Sequence, residues 1–110
     1  MSEQAINLSE GANDLASMIA VQPHAVVSRT LVNKPVGTIT LFAFDAGEGL
    51  SEHTAPYDAL VHVVEGEASI HISSKENVVH AGQVILLPAN QPHALKAITP
   101  FKMLLTMIRA

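Results

Sequence analysis

Short apolar runs separated by turn signals are the feature that most constrains how this chain can fold. After residue 24, Gly, Pro, Asn and Asp interrupt every apolar run before it is long enough for a good helix. Turn signals that recur every ~8–12 residues are typical of all-β sandwiches and barrels. The pattern predicts about eight strands, at residues 25–32, 38–44, 59–64, 68–72, 78–79, 84–87, 93–98 and 101–108.

The first 24 residues have a different pattern. A polar cap at Asn13 or Asp14 precedes Leu15, Met18 and Ile19, which recur at helical spacing. We therefore predict one short helix before residue 21, within an N-terminal segment of residues 1–24. With 110 residues in all, the remaining chain, residues 25–110, is long enough for one β-barrel domain.

Alternation along the strands predicts which side chains are buried. In the run that begins at Asp58, the set Ala59, Val61 and Val63 faces one way, while Leu60, His62 and Val64 face the other. The predicted core comprises Ile39, Leu41, Val61, Val63, Ile70, Ile72, Ile85, Leu87, Phe101, Met103 and Leu105. Because such strands are apolar on both faces and charged residues make up only 15% of the chain, we expect a homodimer that covers an outer sheet face.

Composition excludes several classes of function. The net charge is -4 and the six Lys and Arg residues are scattered, so no basic stripe is available for nucleic acid. There is no cysteine, which excludes disulfides and a thiol nucleophile. No signal-peptide pattern or apolar run of membrane-spanning length is present, so we expect a cytoplasmic protein with no membrane partner.

Two histidines stand at strand edges beside Gly-rich or Pro-rich turns, where a barrel presents side chains to a cavity. His53 lies in GEGLSEHTAPYDALVHVVEG (residues 47–66), and His93 lies in GQVILLPANQPHALKA (residues 82–97). Of the other four histidines, His71 and His80 are predicted to face solvent, and His24, at the head of a strand, is not a candidate for function. His62 shares its face of the strand with Leu60 and Val64.

Read together, these two segments resemble the two motifs of the cupin superfamily. Gly47, His53 and Gly66 match the first motif, while Ala55 and Ala59 stand where the family has its second His and its Glu. The matches to the second motif are Gly82, Pro88 and His93, with Asn90 at the position of a Gly and Ala97 at that of an Asn. The resemblance implies a double-stranded β-helix, a jelly-roll-like barrel of two antiparallel sheets.

The resemblance also implies a cavity site. Of the family's usual three His and one Glu, this chain keeps His53 and His93, which are the predicted metal-binding residues. The resemblance also implies that position 59 points into the barrel, so His62, on the opposite face, is predicted to point out. Tyr57 and Asp58 are the nearest oxygen donors in the sequence, so the predicted ligand-binding residues are His53, Tyr57, Asp58 and His93. Asp58 is one residue from the family's Glu position, which reverses its facing unless the strand bulges or begins later. If a metal is bound, two imidazoles favour Fe, Mn, Co, Ni or Zn over Ca or Mg.

Three hypotheses for function stay open at this point. The first is a small-molecule-binding barrel that holds its ligand, with or without a divalent metal, through His53, His93 and Tyr57. The second is a metal-dependent small-molecule enzyme of the dioxygenase or isomerase type, with Asp58 moving protons. The third is a metal-free dimerising accessory domain. The fold alone does not choose among them, and the substrate is not specified by the sequence.

Overall fold

Nine β-strands build the structure. The computed structural model describes residues 7–109. The strands are β1 (Val26–Lys34), β2 (Gly37–Phe44), β3 (Gly49–His53), β4 (Asp58–Glu65), β5 (Glu67–Ile72), β6 (Lys75–His80), β7 (Val84–Leu87), β8 (His93–Ala97) and β9 (Phe101–Ile108).

The strands form two antiparallel sheets that face each other. The five-stranded sheet has the order β1-β2-β9-β4-β7, and the four-stranded sheet has the order β3-β8-β5-β6. Successive strands repeatedly cross from one sheet to the other, which is the connectivity of a jelly-roll barrel. This architecture confirms the fold class predicted from the sequence.

The core lies between the two sheets and follows the predicted alternation. In β4, Ala59, Val61 and Val63 are buried, while their neighbours on the opposite face are exposed or half-buried. Seven of the predicted core residues are buried: Leu41, Val61, Val63, Ile70, Leu87, Phe101 and Met103. Three more, Ile72, Ile85 and Leu105, are partly buried against the core. Ile39 is half-buried at a position outside this cluster.

The predicted N-terminal helix is present only as two 3₁₀ turns, at Leu8–Glu10 and Leu15–Met18. Asp14 does precede the second turn, but the backbone at Ile19 is already extended, so no α-helical turn can propagate. Two positively charged side chains of the five-stranded sheet hold this segment in place. Lys102 Nζ donates to the Ala16 carbonyl at 2.7 Å, and an Arg29 guanidinium nitrogen donates to the Met18 carbonyl at 2.9 Å.

Strand β3 was not predicted from the sequence. Four of its five residues, Gly49–His53, are exposed, and Ser51 and Glu52 are polar. The segment therefore has the composition of a turn. It becomes a strand because it pairs with the free edge of β8. This edge strand matters for function because His53 is its last residue.

No helix among residues 7–109 is long and apolar enough to cross a membrane. The cytoplasmic location and the division into residues 1–24 and 25–110 stay predictions. Residues 1–6 and Ala110 lie outside the described part of the chain.

Candidate functional site

His53, which is exposed, and His93, which is buried, meet at the cavity between the sheets, although 40 positions separate them in the sequence. The last residue of β3 and the first residue of β8 are cross-strand partners in the same ladder. Their Nε2 atoms lie 3.2 Å apart, and the two rings meet edge to face with centroids 4.4 Å apart. The structure therefore brings together the two histidines that the sequence singled out.

A β-bulge aims His53 at its partner. Leu50 pairs with Leu95, yet the next registered pair is His53 with His93, so β3 contains one residue more than β8 between these pairs. In a regular strand, Glu52 would share the inward face of Leu50, because side chains alternate with a period of two. The extra residue reverses this alternation and turns His53 into the cavity.

The hydrogen bonds of the two rings do not balance. His53 Nδ1 lies 2.9 Å from the Ser51 carbonyl oxygen, and His93 Nδ1 lies 3.2 Å from that of Gln91. Carbonyl oxygens only accept, so in the tautomer in which each Nδ1 donates to its carbonyl, both Nε2 atoms are acceptors that lie next to each other. Two neutral imidazoles carry two N–H hydrogens. The three close contacts, one to each carbonyl and one between the rings, would need three hydrogens to be hydrogen bonds at the same time.

Protonation of the pair is one way to supply the third hydrogen, and the surroundings oppose it. Burial lowers the pKa of His93 below its usual range, and the positive charge that His53 can carry lowers it further, while the Gln91 carbonyl acts in the opposite direction. His93 is only 8% exposed. In that tautomer both Nε2 atoms can accept a hydrogen bond from a ligand or, since His53 is exposed, from water.

The histidine pair opens into a small cavity between the sheets. The enclosed space is about 50 Å³, enough for a few water-sized groups. Apart from the two histidines and Tyr57, its lining is apolar: Leu50, Ala55, Ala59, Leu87, Ala94, Leu95, Met103, Leu105 and Met107. A group that enters this cavity can thus contact two imidazole rings, while the surrounding surface consists of hydrocarbon and thioether groups.

Of the two predicted oxygen donors, only Tyr57 lines the cavity. Asp58 pairs with Ile108 in a regular stretch of the ladder, so it has the facing opposite to the buried Ala59. Its Oδ1 accepts a hydrogen bond from the Ala89 amide at 2.8 Å. The predicted reversal of its facing therefore holds, and its carboxylate connects two loops outside the cavity.

The loops at the cavity mouth are joined by a second hydrogen bond. The amide of Asn90 donates to the Ala55 carbonyl at 2.7 Å. Asn90 has a φ of 66°, in the left-handed region that Gly adopts most easily and that Asn tolerates better than most residues. This conformation explains why Asn can stand at a motif position that the family fills with Gly.

The remaining four histidines lie outside the cavity, and His62, His71 and His80 have the facing predicted from the sequence. His62 is half-buried on the face of β4 opposite Val61 and Val63, and it does not line the cavity. His24, His71 and His80 are exposed. At the surface, the Nδ1 of His80 lies 3.0 Å from a Glu67 carboxylate oxygen.

Met103 and Met107 are two of the cavity residues that the sequence reasoning did not include among site residues. Their signal was available, because Phe101, Met103, Leu105 and Met107 alternate along one face of the last strand. The structure places that face toward the barrel interior, and both methionines line the cavity.

The donor set does not fit a divalent ion held as a resident cofactor. Between residues 7 and 109, no three or more His, Cys, Asp or Glu side chains are grouped so that they could hold a metal. The two family ligand positions that this chain lacks, Ala55 and Ala59, do line the cavity, but with methyl groups. The predicted metal role of His53 and His93 stays a prediction.

Comparison with known proteins gives the family. The family model described as a cupin domain matches residues 40–108. No curated protein matches the chain.

Three solved structures are similar to it. A conserved protein of unknown function from Streptococcus pyogenes is 35% identical, with a TM-score of 0.90 over 100% of this chain and 96% of that one. A cupin superfamily protein from Desulfitobacterium hafniense is 31% identical, with a TM-score of 0.88 over 92% of this chain and 93% of that one. A cupin 2 conserved barrel domain protein from Leptotrichia buccalis is 40% identical, with a TM-score of 0.82 over 84% of this chain and 45% of that one.

The family match covers more than half of the chain, and it includes both strands that carry the histidine pair. Two of the similar structures are described as cupins and exceed 30% identity. With its two-sheet barrel, this chain belongs to the cupin superfamily.

Proposed function

We propose that the protein binds a small molecule whose compact end enters the barrel and supplies a hydrogen-bond donor or a positive charge to the His53–His93 pair. The observation that carries this proposal is the hydrogen shortfall: three contacts of hydrogen-bond length share two ring hydrogens. An incoming donor satisfies the pair without protonating His93, whose pKa is lowered by burial. The family's general association with small-molecule ligands agrees with such a role.

The size and lining of the cavity restrict the ligand. About 50 Å³ admits only a few atoms, so the remainder of a larger ligand would stay at the mouth, beside Tyr57. The apolar wall favours a hydrocarbon body, and the two acceptors select the end that carries the donor. The proposal is limited to binding because His53, His93 and Tyr57 could each move a proton, but the lining specifies no particular reaction.

A matched pair of probes tests this proposal. Phenol and fluorobenzene have nearly the same shape, but only phenol offers a hydroxyl hydrogen. In amide NMR titrations at pH 7.5, phenol should shift the resonances of the cavity-lining residues and bind about five-fold more tightly than fluorobenzene, since one net hydrogen bond contributes roughly 1 kcal/mol.

Two variants complete the test. His93→Leu should remove the preference for phenol, whereas His62→Ala should keep it, because His62 lies outside the cavity. Equal binding of the two probes to the wild-type protein, or an unchanged preference in His93→Leu, contradicts the proposal.

A homodimer is proposed on a separate observation. On the outer face of the five-stranded sheet, Leu60, Leu86 and Val84 are 40%, 49% and 59% exposed. They are neighbours, because Leu60 pairs with Leu86 and His62 pairs with Val84. Burying this patch against a second copy would remove it from water.

Light scattering at tens of micromolar tests the dimer. The expected mass is near twice 11.7 kDa, and Leu86→Lys should shift it to the monomer mass. A monomeric wild-type protein contradicts self-association through this face.

A further inference from the structure

The outer face of the five-stranded sheet carries one histidine, His62, in the middle of an apolar row. His62 pairs with Val84 of β7 on one side and with Leu104 of β9 on the other. Leu104 pairs in turn with Leu41 of β2. Residues directly opposite each other in antiparallel strands share a face of the sheet. The row of these four residues therefore lies on the side of the sheet that faces away from the cavity.

The N-terminal segment of the chain already covers one half of this outer face. Leu41 and its neighbour Ala43 belong to the face, yet both are completely buried. The segment is held there by Lys102 and Arg29, which donate to its backbone carbonyls. The other half is the apolar patch of the proposed homodimer. His62 lies between the two halves and is half-buried.

The charged groups on the strand of His62 and on β9 are engaged elsewhere. Strand β4 has two carboxylates, Asp58 at its first residue and Glu65 at its last. Asp58 accepts a hydrogen bond from the Ala89 amide, and Glu65 lies 3.5 Å from Lys102 Nζ. Lys102 is the one charged residue of β9. No carboxylate of these two strands is therefore opposite His62 in the ladder.

The other elements in contact with β4 add no charge beside His62. Strand β7 and the second 3₁₀ turn consist of uncharged residues. Asp14, which precedes that turn, accepts a hydrogen bond from a serine hydroxyl within it. Strand β6 belongs to the other sheet, so its charged residues, Lys75, Glu76 and His80, lie across the core from the face of His62. A protonated His62 would therefore stand among apolar side chains without an acidic partner.

The distribution of charge indicates what covers the apolar half. The outer face of the four-stranded sheet is polar and carries Glu67, His71, Glu76, His80 and Lys96. In contrast, the exposed side chains of the apolar half are Leu60, Val84 and Leu86. An uncharged patch can meet an identical patch without like-charge repulsion, so a second copy of this chain fits it.

We propose that His62 makes the homodimer pH-sensitive: two copies associate through this face while His62 is neutral, and they separate when it is protonated. This inference rests on the proposed homodimer and names its regulation. A neutral imidazole can be covered by apolar side chains at small cost, whereas an imidazolium would leave water without a carboxylate partner. A two-fold contact also places the two His62 rings in one interface, so that their charges would repel each other.

The sign of the effect distinguishes His62 from the overall charge of the protein. The chain has a net charge of -4 at pH 7 and an isoelectric point of about 5.8. Two copies therefore repel each other less at pH 5.5 than at pH 7.5, which by itself strengthens association. Protonation of His62 acts in the opposite direction, so a dimer that weakens on acidification points to an interface group.

Sedimentation equilibrium at pH 7.5 and pH 5.5 measures the dimer Kd. About 90% of ordinary imidazoles are protonated at pH 5.5, so two rings that must both be neutral can weaken the dimer by up to ~100-fold. We expect the Kd of the wild type to rise at least ~10-fold. His62→Gln should change by less than about three-fold, because it keeps a polar side chain that cannot be protonated. It also keeps His93, so a loss of fold stability at low pH is common to both proteins.

Two further variants sharpen the test. His71→Gln removes an exposed histidine from the four-stranded sheet and should keep the full response of the wild type. His62→Lys, which is charged at both pH values, should be monomeric even at pH 7.5. A wild-type Kd that stays constant or falls at pH 5.5, a full response in His62→Gln, or a dimeric His62→Lys overturns the proposal. A wild type that dimerises equally at both pH values removes only the pH dependence, whereas one that is monomeric at pH 7.5 removes the proposed homodimer as well.

Discussion

Gly66 is expected to be far less replaceable than Gly82, although both are motif glycines with φ near 80–90°. Gly66, with φ of 79°, closes the β4–β5 hairpin, and a Cβ there would lie 2.2 Å from the Pro100 carbonyl oxygen and 2.8 Å from the Phe101 Cβ. Gly82, with φ of 88°, has nothing within 4 Å of the same added atom. The pair thus separates the effect of backbone conformation from that of steric overlap.

The expected magnitudes follow from these two environments. In Gly82→Ala, the left-handed conformation costs about 1–2 kcal/mol, and the stiffer unfolded chain offsets part of that. Gly66→Ala carries the same conformational cost plus an overlap with backbone that must move by about 1 Å, for which overpacking of ~1–3 kcal/mol is typical. We therefore expect Gly66→Ala to lower the free energy of unfolding by about 3–4 kcal/mol and Gly82→Ala by about 1 kcal/mol.

Urea denaturation followed by circular dichroism measures both free energies of unfolding. A loss of ~3–4 kcal/mol is a large part of the 5–15 kcal/mol typical of a domain, so Gly66→Ala should unfold at markedly lower urea than Gly82→Ala. Equal midpoints for the two variants, with unchanged slopes, would refute the steric reasoning and the described approach of the 99–101 turn to the hairpin.

Three further predictions follow from burial, titration and backbone conformation. Val63→Ala should lower the free energy of unfolding by about 1–3 kcal/mol, because Val63 is fully buried. Val84→Ala should lower it by less than ~0.5 kcal/mol, because Val84 is 59% exposed. Similar losses for the two variants in urea denaturation would mean that the register is wrong. The pKa of His93 is lowered in the folded state by burial and then by His53, so the unfolded chain binds more protons and stability should fall as the pH drops below about 6.5. Thermal melts from pH 7.5 to 5.5 should show a smaller drop for His93→Gln than for the wild type, and parallel curves would contradict the assignment. Asn90→Gly should keep the free energy of unfolding within about 1 kcal/mol of the wild type. Asn90→Val should lower it by more than ~1 kcal/mol, because a β-branched residue is disfavoured at a φ of 66°. Equal melting temperatures for the two variants would exclude strain at this turn.

Alternation and turn spacing were sufficient to predict the barrel and the direction of most side chains. The period of two correctly placed Val61 and Val63 inside and His62 outside, because β4 is regular over these residues. The same reasoning identified the reversed facing of Asp58. Local patterns succeed where a strand has one strongly apolar face that fixes its register.

The sequence did not predict the elements that depend on a pairing partner. Strand β3 is polar and exposed, and it exists because β8 offers a free edge. The bulge that turns His53 inward depends on the same pairing, so neither could be inferred from residues 49–53 alone. The N-terminal helix was predicted from spacing, but only 3₁₀ turns form, because the backbone becomes extended at Ile19.

The tautomers of His53 and His93 test the central claim most directly, because the proposed site depends on two bare Nε2 atoms that face each other. In a long-range ¹H–¹⁵N NMR spectrum of the ligand-free protein at pH 8.5, well above the ordinary imidazole value of about 6.5, both rings should show a protonated Nδ1 and an unprotonated Nε2. Adding phenol should shift both Nε2 resonances together. An Nε2–H on either ring, or Nε2 resonances that do not respond to phenol, would contradict the account.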